Sequence, residues 1–408
     1  MEFLTPHSET GLSAGKPRVL LLEPLFFIHT PVYIRAAMAS VGFENAHFTI
    51  VTSTPAASYK EWLREFESTH ENVKVHLVDG GDAPRKNRIQ NLRINYSFMR
   101  AVEIILQEQT FDTITYLFVD NVLPYFSFDL FKHWFPGHFA GGVTGIIFRD
   151  NGLRPTGDRS AKARIKGALD RWVLKRAASS GAFRRLTFLD AQSADQARRR
   201  FSTDLFARGI DPIEIQSCVE ENPRQRLGLP EDAHIALMFG SISDRKGVLD
   251  TLDLLNNAKF PTDGIALVLA GPIDPDIRDR VTAAMKKAEE RYRVFFHEGF
   301  VKEEDVPLYF SSADCVVCAY KNFNGSSGVL LHAASFGKPV LVSDGGVMAD
   351  AVRQYGFGEI VDFGQPEEFT QKMEGLLRLN REEKEKYRTA ALNYARARDA
   401  RLFMSQFS

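Results

Sequence analysis

The chain has 408 residues, 44% hydrophobic and 25% charged, with a formal net charge of −1. That is the balance of a globular protein long enough for two or three domains, and it excludes any global electrostatic pull toward nucleic acid or membrane, so a basic surface has to be local. Three cysteines, Cys218, Cys315 and Cys318, are too few for a disulfide framework and fit a reducing cytosol.

The first sixteen residues are polar, lack a signal-peptide core and read as a disordered leader. No apolar run is long enough to cross a bilayer, which places the protein in the cytoplasm, at most against the inner face of a membrane. Residues 18–22 (RVLLL) then read as an apolar strand, followed by a loop with Pro24 and Pro31 and a helix to about Ser40. HFTIVTS, the helical SYKEWLREFEST, VKVHLV, a helix near 92–107, TITYLFVD ending at Asp120, and GGVTGIIF ending before Arg149 continue the alternation. Short strands separated by helices imply crossovers and a parallel sheet, whose ligands bind beyond the carboxyl ends of the strands, so Pro24, Asp120 and Arg149 mark positions of interest.

Residues 159–185 carry Arg159, Lys162, Arg164, Lys166, Arg171, Lys175, Arg176, Arg184 and Arg185 against Asp170 alone. Ala163, Ala168, Leu169, Trp172, Val173 and Ala177 recur near helical spacing, so the segment reads as an amphipathic helix. It is either a solvated face packed on the sheet or a contact for anionic lipid or an anionic acceptor. RRLTFLDAQSADQARRRF adds one more strand and helix. The apolar pattern lapses around 213–223, which sets the domain junction: 17–214 form one domain, 215–380 a second, and 381–408 a helical region packing back on the first.

The second half repeats the grammar with HIALMFG, GIALVLAG, VFFHEGF, DCVVCAY, PVLVSD and EIVDF as strands. Cys315 and Cys318 sit inside one of these buried runs, against a redox or metal role for the pair. Two stretches carry the chemistry. FGSISDRKG (239–247) puts Arg245 and Lys246 at a helix start, where they lie either against an oxygen-rich ligand or in solvent. NGSSGVLLHAASFGKPVLVSD (324–344) is a polar loop of Asn324, Gly325, Ser326, Ser327 and Gly328 opening an apolar helix that Gly337, Lys338 and Pro339 stop. The helix start leaves amides unpaired and partly positive, suiting a diphosphate, with Ser326 or Ser327 as its cap; an ordinary capped crossover helix is the alternative.

In order, FGSISDRKGVLDTLDLL, LVLAGP, FHEGFVKEEDVPLYFSSADCVVCAY and NGSSGVLLHAASFGKPVLVSDGG resemble the GT-B glycosyltransferases, in particular the large retaining, nucleotide-sugar-dependent family that includes sucrose-phosphate synthases. The resemblance spans about 235–361. It implies an α/β architecture of two doubly wound Rossmann-like domains facing across a cleft, and a donor such as a UDP-sugar. The family's diphosphate-gripping Arg and Lys, five residues apart, fall on Ser241 and Lys246, so the lysine is kept and the arginine is not; Gly240 precedes them and Arg245 can supply the lost charge. Its two glutamates eight positions apart, near the donor sugar and on the ribose, fall on Asn324 and His332. Asn324 can still bond sugar hydroxyls and His332 a ribose, although packing alone also accounts for a histidine there. The resemblance places Val301 beside the nucleotide, and puts Arg149 or Phe148 where the family has a histidine near sugar and acceptor. Arg149 can hold an anionic acceptor group but cannot act as a base at neutral pH.

The expected activity is therefore transfer of a hexose with retention from a nucleotide-diphosphate sugar to a glycan or lipid-linked acceptor in polysaccharide assembly. Lys246, Arg149, Asn324 and the amides of 325–328 carry the site, with no metal and no further cofactor. A catalytically reduced GT-B protein that binds nucleotide or glycan as a partner or regulator is the alternative. An epimerase would want positioned carboxylates that the sequence does not identify.

Overall fold

The structure, a computed structural model, describes residues 15–26, 30–54, 57–78, 88–127, 142–149, 151–154, 160–215, 218–257 and 264–407. The expected leader falls almost wholly outside these. Thirteen strands and fourteen helices are ordered along the described chain. They begin with β1 (Arg18–Glu23), α1 (Thr30–Val41), β2 (His47–Ser53), α2 (Ala57–Thr69), β3 (Val73–Val78), α3 (Arg88–Glu108), β4 (Thr113–Tyr116), α4 (Leu123–Ser127) and β5 (Val143–Ile147). Next come α5 (Ala161–Ala178), β6 (Phe183–Phe188), α6 (Ala191–Phe201), β7 (Phe206–Arg208), α7 (Pro223–Arg226), β8 (His234–Phe239), α8 (Val248–Asn257), β9 (Ile265–Gly271), α9 (Arg278–Glu289) and β10 (Arg293–Glu298). The chain closes with α10 (Val306–Ser312), β11 (Cys315–Cys318), α11 (Gly328–Ser335), β12 (Val340–Ser343), α12 (Gly346–Tyr355), β13 (Gly358–Val361), α13 (Pro366–Leu377) and α14 (Arg381–Arg396).

Contacts divide the chain into two compact units, 1–147 with 172–187 and 407, and 148–171 with 188–406 and 408. A seven-stranded sheet runs β3-β2-β1-β4-β5-β6-β7 and a six-stranded sheet β10-β9-β8-β11-β12-β13. Every strand pair with a described register is parallel. Strands such as Leu20–Leu22 and 265–270 are apolar without alternation because helices cover both faces. In each sheet the winding reverses between two neighbours, β1 and β4 in the first and β8 and β11 in the second, which leaves a crevice beyond their carboxyl ends.

The six-stranded sheet separates two apolar clusters. One gathers Val316, Cys318, Leu330, Ala334, Val342 and Tyr394, the other Cys315, Val317, Leu252, Leu269, Val281 and Phe369. Cys315 and Cys318 therefore point to opposite faces, as residues three apart on a strand must, and no disulfide can join them. α11 is apolar nearly all round because it lies between the sheet and α14, and α14 opens with a full capping box between Asn380 and Glu383. Within the second unit the buried Arg154 guanidinium donates to Asp190 at 2.5 Å and to Asp350 at 2.9 Å, while Asp190 also caps α6 through the Gln192 amide.

Two readings of the pattern change with the structure. β4 stops at Tyr116, four residues short of Asp120, although Leu117 N and Val119 N still bond Leu22 O and Ile146 O across the neighbouring strands. On α5 the buried positions are Leu174 and Ala177, and Leu169 and Trp172 join Ile165 in an exposed apolar stripe. No described helix is long and apolar enough to cross a membrane.

Candidate active site

The crevice of the second sheet is built from the segments that leave β8 and β11. After β8 the chain turns at Gly240, whose φ of +82° an L side chain rarely adopts, and makes one 3-10 turn over Asp244–Lys246. Gly247 ends that turn at φ +66°. A Cβ there would lie 2.2 Å from the Ala319 carbonyl oxygen at the end of β11, so glycine alone lets the two segments meet. The Arg245 carbonyl accepts from the Lys321 amide at 2.8 Å, and the Lys321 ammonium bonds Asp244 at 3.0 Å and Asp250 at 2.7 Å.

Lys246 folds inward. Its Nζ donates to the Phe239 carbonyl at 2.7 Å and lies 5.7 Å from the centre of the Tyr320 ring. Burial, with the Arg245 cation adding to it, pushes its pKa down from 10.5 to about 8 despite the nearby Cys318. A Cβ on Gly240 would sit 2.6 Å from that Nζ and 3.9 Å from Val329 on the first turn of α11. Gly240, Lys246 and the α11 N-terminus thus share one spot. Ser327 holds the N-cap position of α11 without capping it; its Oγ pairs instead with the Tyr320 hydroxyl at 3.1 Å. The N-terminal amides of α11 accordingly receive no side-chain cap and face the spot occupied by Lys246, an arrangement that favours an anion.

The other sequence-expected residues lie around this core. Ser241 is exposed, and Asn324, Gly325, Ser326 and Gly328 are half-buried. Arg245 is exposed, with its guanidinium over the rings of Phe323 at 4.8 Å and Tyr320 at 5.5 Å. Asn324 is clamped from behind: its carbonyl accepts from Val347 N at 3.3 Å, and a Cβ on Gly346 would lie 2.9 Å from its Cα. His332 is half-buried on the second turn of α11 with its ring 5.3 Å from that of Phe310. Val301 is half-buried beyond β10, one residue after the exposed Phe300. Arg149 is exposed just after β5, and its carbonyl accepts from Asn151.

Tyr320, Phe323 and Gly346 escaped the sequence reading. The signal was present in AYKNF and in the DGG that follows β12, but nothing in a linear pattern says that an aromatic will take the hydroxyl of a capping serine. The order of loop, helix and crevice decides what such a site is. Residues 219–396 match the family of glycosyl transferases group 1. Lys246 and the 324–328 loop both fall inside the matched segment. The whole chain has the GT-B fold of several solved structures. It is similar to the N-terminal domain of trehalose-6-phosphate phosphatase from Candida albicans, with a TM-score of 0.72, 10% identity, and coverage of 98% of this chain and 97% of that one. It is also similar to sucrose-phosphate synthase from Thermosynechococcus elongatus, with a TM-score of 0.67 and 14% identity over 96% and 95% of the two chains. WaaG, a glycosyltransferase involved in lipopolysaccharide biosynthesis, gives a TM-score of 0.63 and 17% identity over 95% of this chain and 97% of that one. No curated protein matches the chain in sequence. At these identities the likeness speaks for the fold alone.

Proposed function

We propose that the chain is a glycosyltransferase that takes a hexose from a nucleotide-diphosphate sugar and passes it, with retention, to a glycan or lipid-linked acceptor in polysaccharide or glycoconjugate assembly. The observation that carries this reading is the convergence of Gly240, the Lys246 ammonium and the uncapped start of α11 in the crevice between β8 and β11. A diphosphate placed there meets a cation on one side and helix amides on the other, both fixed before it arrives, so the charge that grows as the sugar departs is stabilised without rearrangement. The departing diphosphate takes the acceptor's proton, and no protein nucleophile is needed. In this reading Arg245 and Ser241 flank the diphosphate, Asn324 bonds the donor sugar, His332 the ribose, Val301 packs beside the base, and Arg149 contacts acceptor oxygens. The structure of Anabaena HepE, to which the chain is similar at a TM-score of 0.63 and 14% identity, holds UDP and glucose, which makes UDP-glucose the first donor to try.

A thermal-shift screen with UDP-, GDP-, ADP- and TDP-sugars tests the donor site, since a ligand that binds only the folded form raises apparent stability. One of the four is expected to raise the melting temperature, and Lys246→Ala to weaken it by about 1.5–3 kcal/mol; four null results remove the reading. A second reading, a binding partner or regulator without turnover, is favoured by Asn and His standing where the family has glutamates, and by His332 lying against Phe310. Donor binding with no sugar transfer to any acceptor decides for it. The exposed Ile165, Leu169 and Trp172 on α5, flanked by Lys162, Arg164, Lys166 and Lys175, support a contact with anionic membrane. Co-sedimentation with phosphatidylglycerol vesicles, lost in high salt, is its expected signature.

A further inference from the structure

Ser327 has what a helix cap needs and does not cap. It holds the N-cap position of α11 with an extended backbone, φ −132° and ψ 122°, and a short hydroxyl side chain, the combination that ordinarily accepts from the second or third amide of a helix. Helical bonding begins at Leu331 N, which donates to the Ser327 carbonyl at 3.1 Å, so the Gly328, Val329 and Leu330 amides come before it. The Ser327 hydroxyl takes none of them. It meets the Tyr320 hydroxyl at 3.1 Å instead, and the pair is buried, Ser327 at 7% exposure and Tyr320 at 4%. Forgoing a cap lowers the stability of a helix, so the diversion of this hydroxyl asks for a reason other than packing.

Tyr320 is placed to supply one. Two residues beyond β11, its hydroxyl also meets the Cys318 thiol, which holds it from the strand side. Burial pushes the Tyr320 phenol far above its usual 10, so it keeps its proton at any working pH and its hold on Ser327 does not vary with pH. The centre of its ring lies 5.7 Å from the Lys246 ammonium and 5.5 Å from the Arg245 guanidinium. One side chain thus bears on three positive features of the crevice, the helix start through Ser327 and the two cations through its ring.

We propose that Tyr320 is the positioning residue of the diphosphate site: its hydroxyl holds the Ser327 hydroxyl away from the α11 amides, which stay open to the donor's phosphates, while its ring keeps Lys246 and Arg245 on the same side. Tyr320 acts through these groups and not on the reacting atoms. Without its hydroxyl, Ser327 needs only a turn about one side-chain bond to put its own oxygen on the Val329 or Leu330 amide, in competition with a phosphate oxygen. The inference rests on the glycosyltransferase reading and deepens it, since it says what keeps the anion site open before the donor arrives.

The test is calorimetric titration of the full chain with UDP, GDP, ADP and TDP. For the diphosphate that binds the wild type most tightly, Tyr320→Phe, which keeps the ring and removes the hydroxyl, is expected to bind at least tenfold more weakly. The double variant Tyr320→Phe with Ser327→Ala leaves no hydroxyl to cap the helix and is expected to bind at least fivefold tighter than Tyr320→Phe alone. General loosening of the fold cannot give this recovery, because removing a second buried hydroxyl only adds to the damage. A Tyr320→Phe affinity equal to the wild type, or a double variant no tighter than the single, overturns the proposal. Should Tyr320→Phe fail to fold, Ser327→Ala decides against the wild type: a loss of more than fivefold means that the serine hydroxyl serves the ligand and overturns the proposal, and a smaller one upholds it. A wild type that binds none of the four strikes the glycosyltransferase reading and this inference together, whereas binding that ignores Tyr320→Phe strikes this inference alone.

Discussion

If Lys246 grips the donor diphosphate, its lowered proton affinity makes donor binding fade at alkaline pH. With a pKa of about 8 in the unliganded protein, roughly nine-tenths of the ammonium is charged at pH 7 and about one-tenth at pH 9. When only the charged form binds well, affinity falls about tenfold between those pH values, near 1.4 kcal/mol, which lies within the value of one charge-assisted hydrogen bond. Binding at pH 9 must also draw a proton from buffer. Calorimetric titration with the nucleoside diphosphate that gives the largest thermal shift, in two buffers of different ionisation enthalpy, reads both effects. Lys246→Arg, which stays charged throughout, should lose the slope. The stability of the unliganded protein runs the other way. The folded pKa lies below the unfolded value of 10.5, so the cost of burying this charge is full below about pH 8 and is relieved between about 8 and 10.5 as pH rises. A dissociation constant that is flat from pH 7 to 9, or an arginine variant with the same slope as the lysine, would refute the placement of Lys246 on the diphosphate.

Three other outcomes can be stated. Arg154→Ala leaves Asp190 buried without its cation and should cost about 3–5 kcal/mol in urea unfolding, whereas Asp350→Ala, at the more exposed end, should cost under half of that; equal effects would mean that the buried pair is not the stabilising one. Gly247→Ala meets both a left-handed φ and the Ala319 carbonyl, so a loss of about 1–3 kcal/mol is expected together with loss of the nucleotide thermal shift; a neutral variant would show that the two segments do not need to touch. Thiol titration of the native protein should count Cys218 alone, since burial raises the Cys318 thiol to about 12 and the Cys315 thiol further, and all three should react in denaturant; a second fast thiol in the native state would contradict the packing of β11.

Much of this architecture is legible in the sequence because parallel strands advertise themselves. Runs such as IALVLA and VLLL are apolar on both faces, and glycine or proline punctuates them. β7 escaped because three residues, Phe206–Arg208, are too few to carry a period, and β4 was drawn too long because Leu117–Val119 remain apolar after regular pairing ends. The donor loop could be located from Lys246 and the glycines around 325, since turn chemistry is local. The Tyr320–Ser327 bond, the clamp of Gly346 on Asn324 and the meeting of Gly240 with Lys246 could not, because each joins segments whose contact is created only by the strand order. The same holds for Leu169 and Trp172: helical spacing grouped them with Val173 and Ala177 on one apolar side, and only the packing of α5 through Leu174 and Ala177 shows which of them are exposed.

The segment after β8 and the segment after β11 are stitched at three places: Gly247 against the Ala319 carbonyl, the Arg245 carbonyl to the Lys321 amide, and Lys321 to Asp244. For anyone building chimeras to change what this protein accepts, residues 240–247 and 319–327 are therefore one transplantable cassette, and moving either alone would sever the seam that holds both in shape.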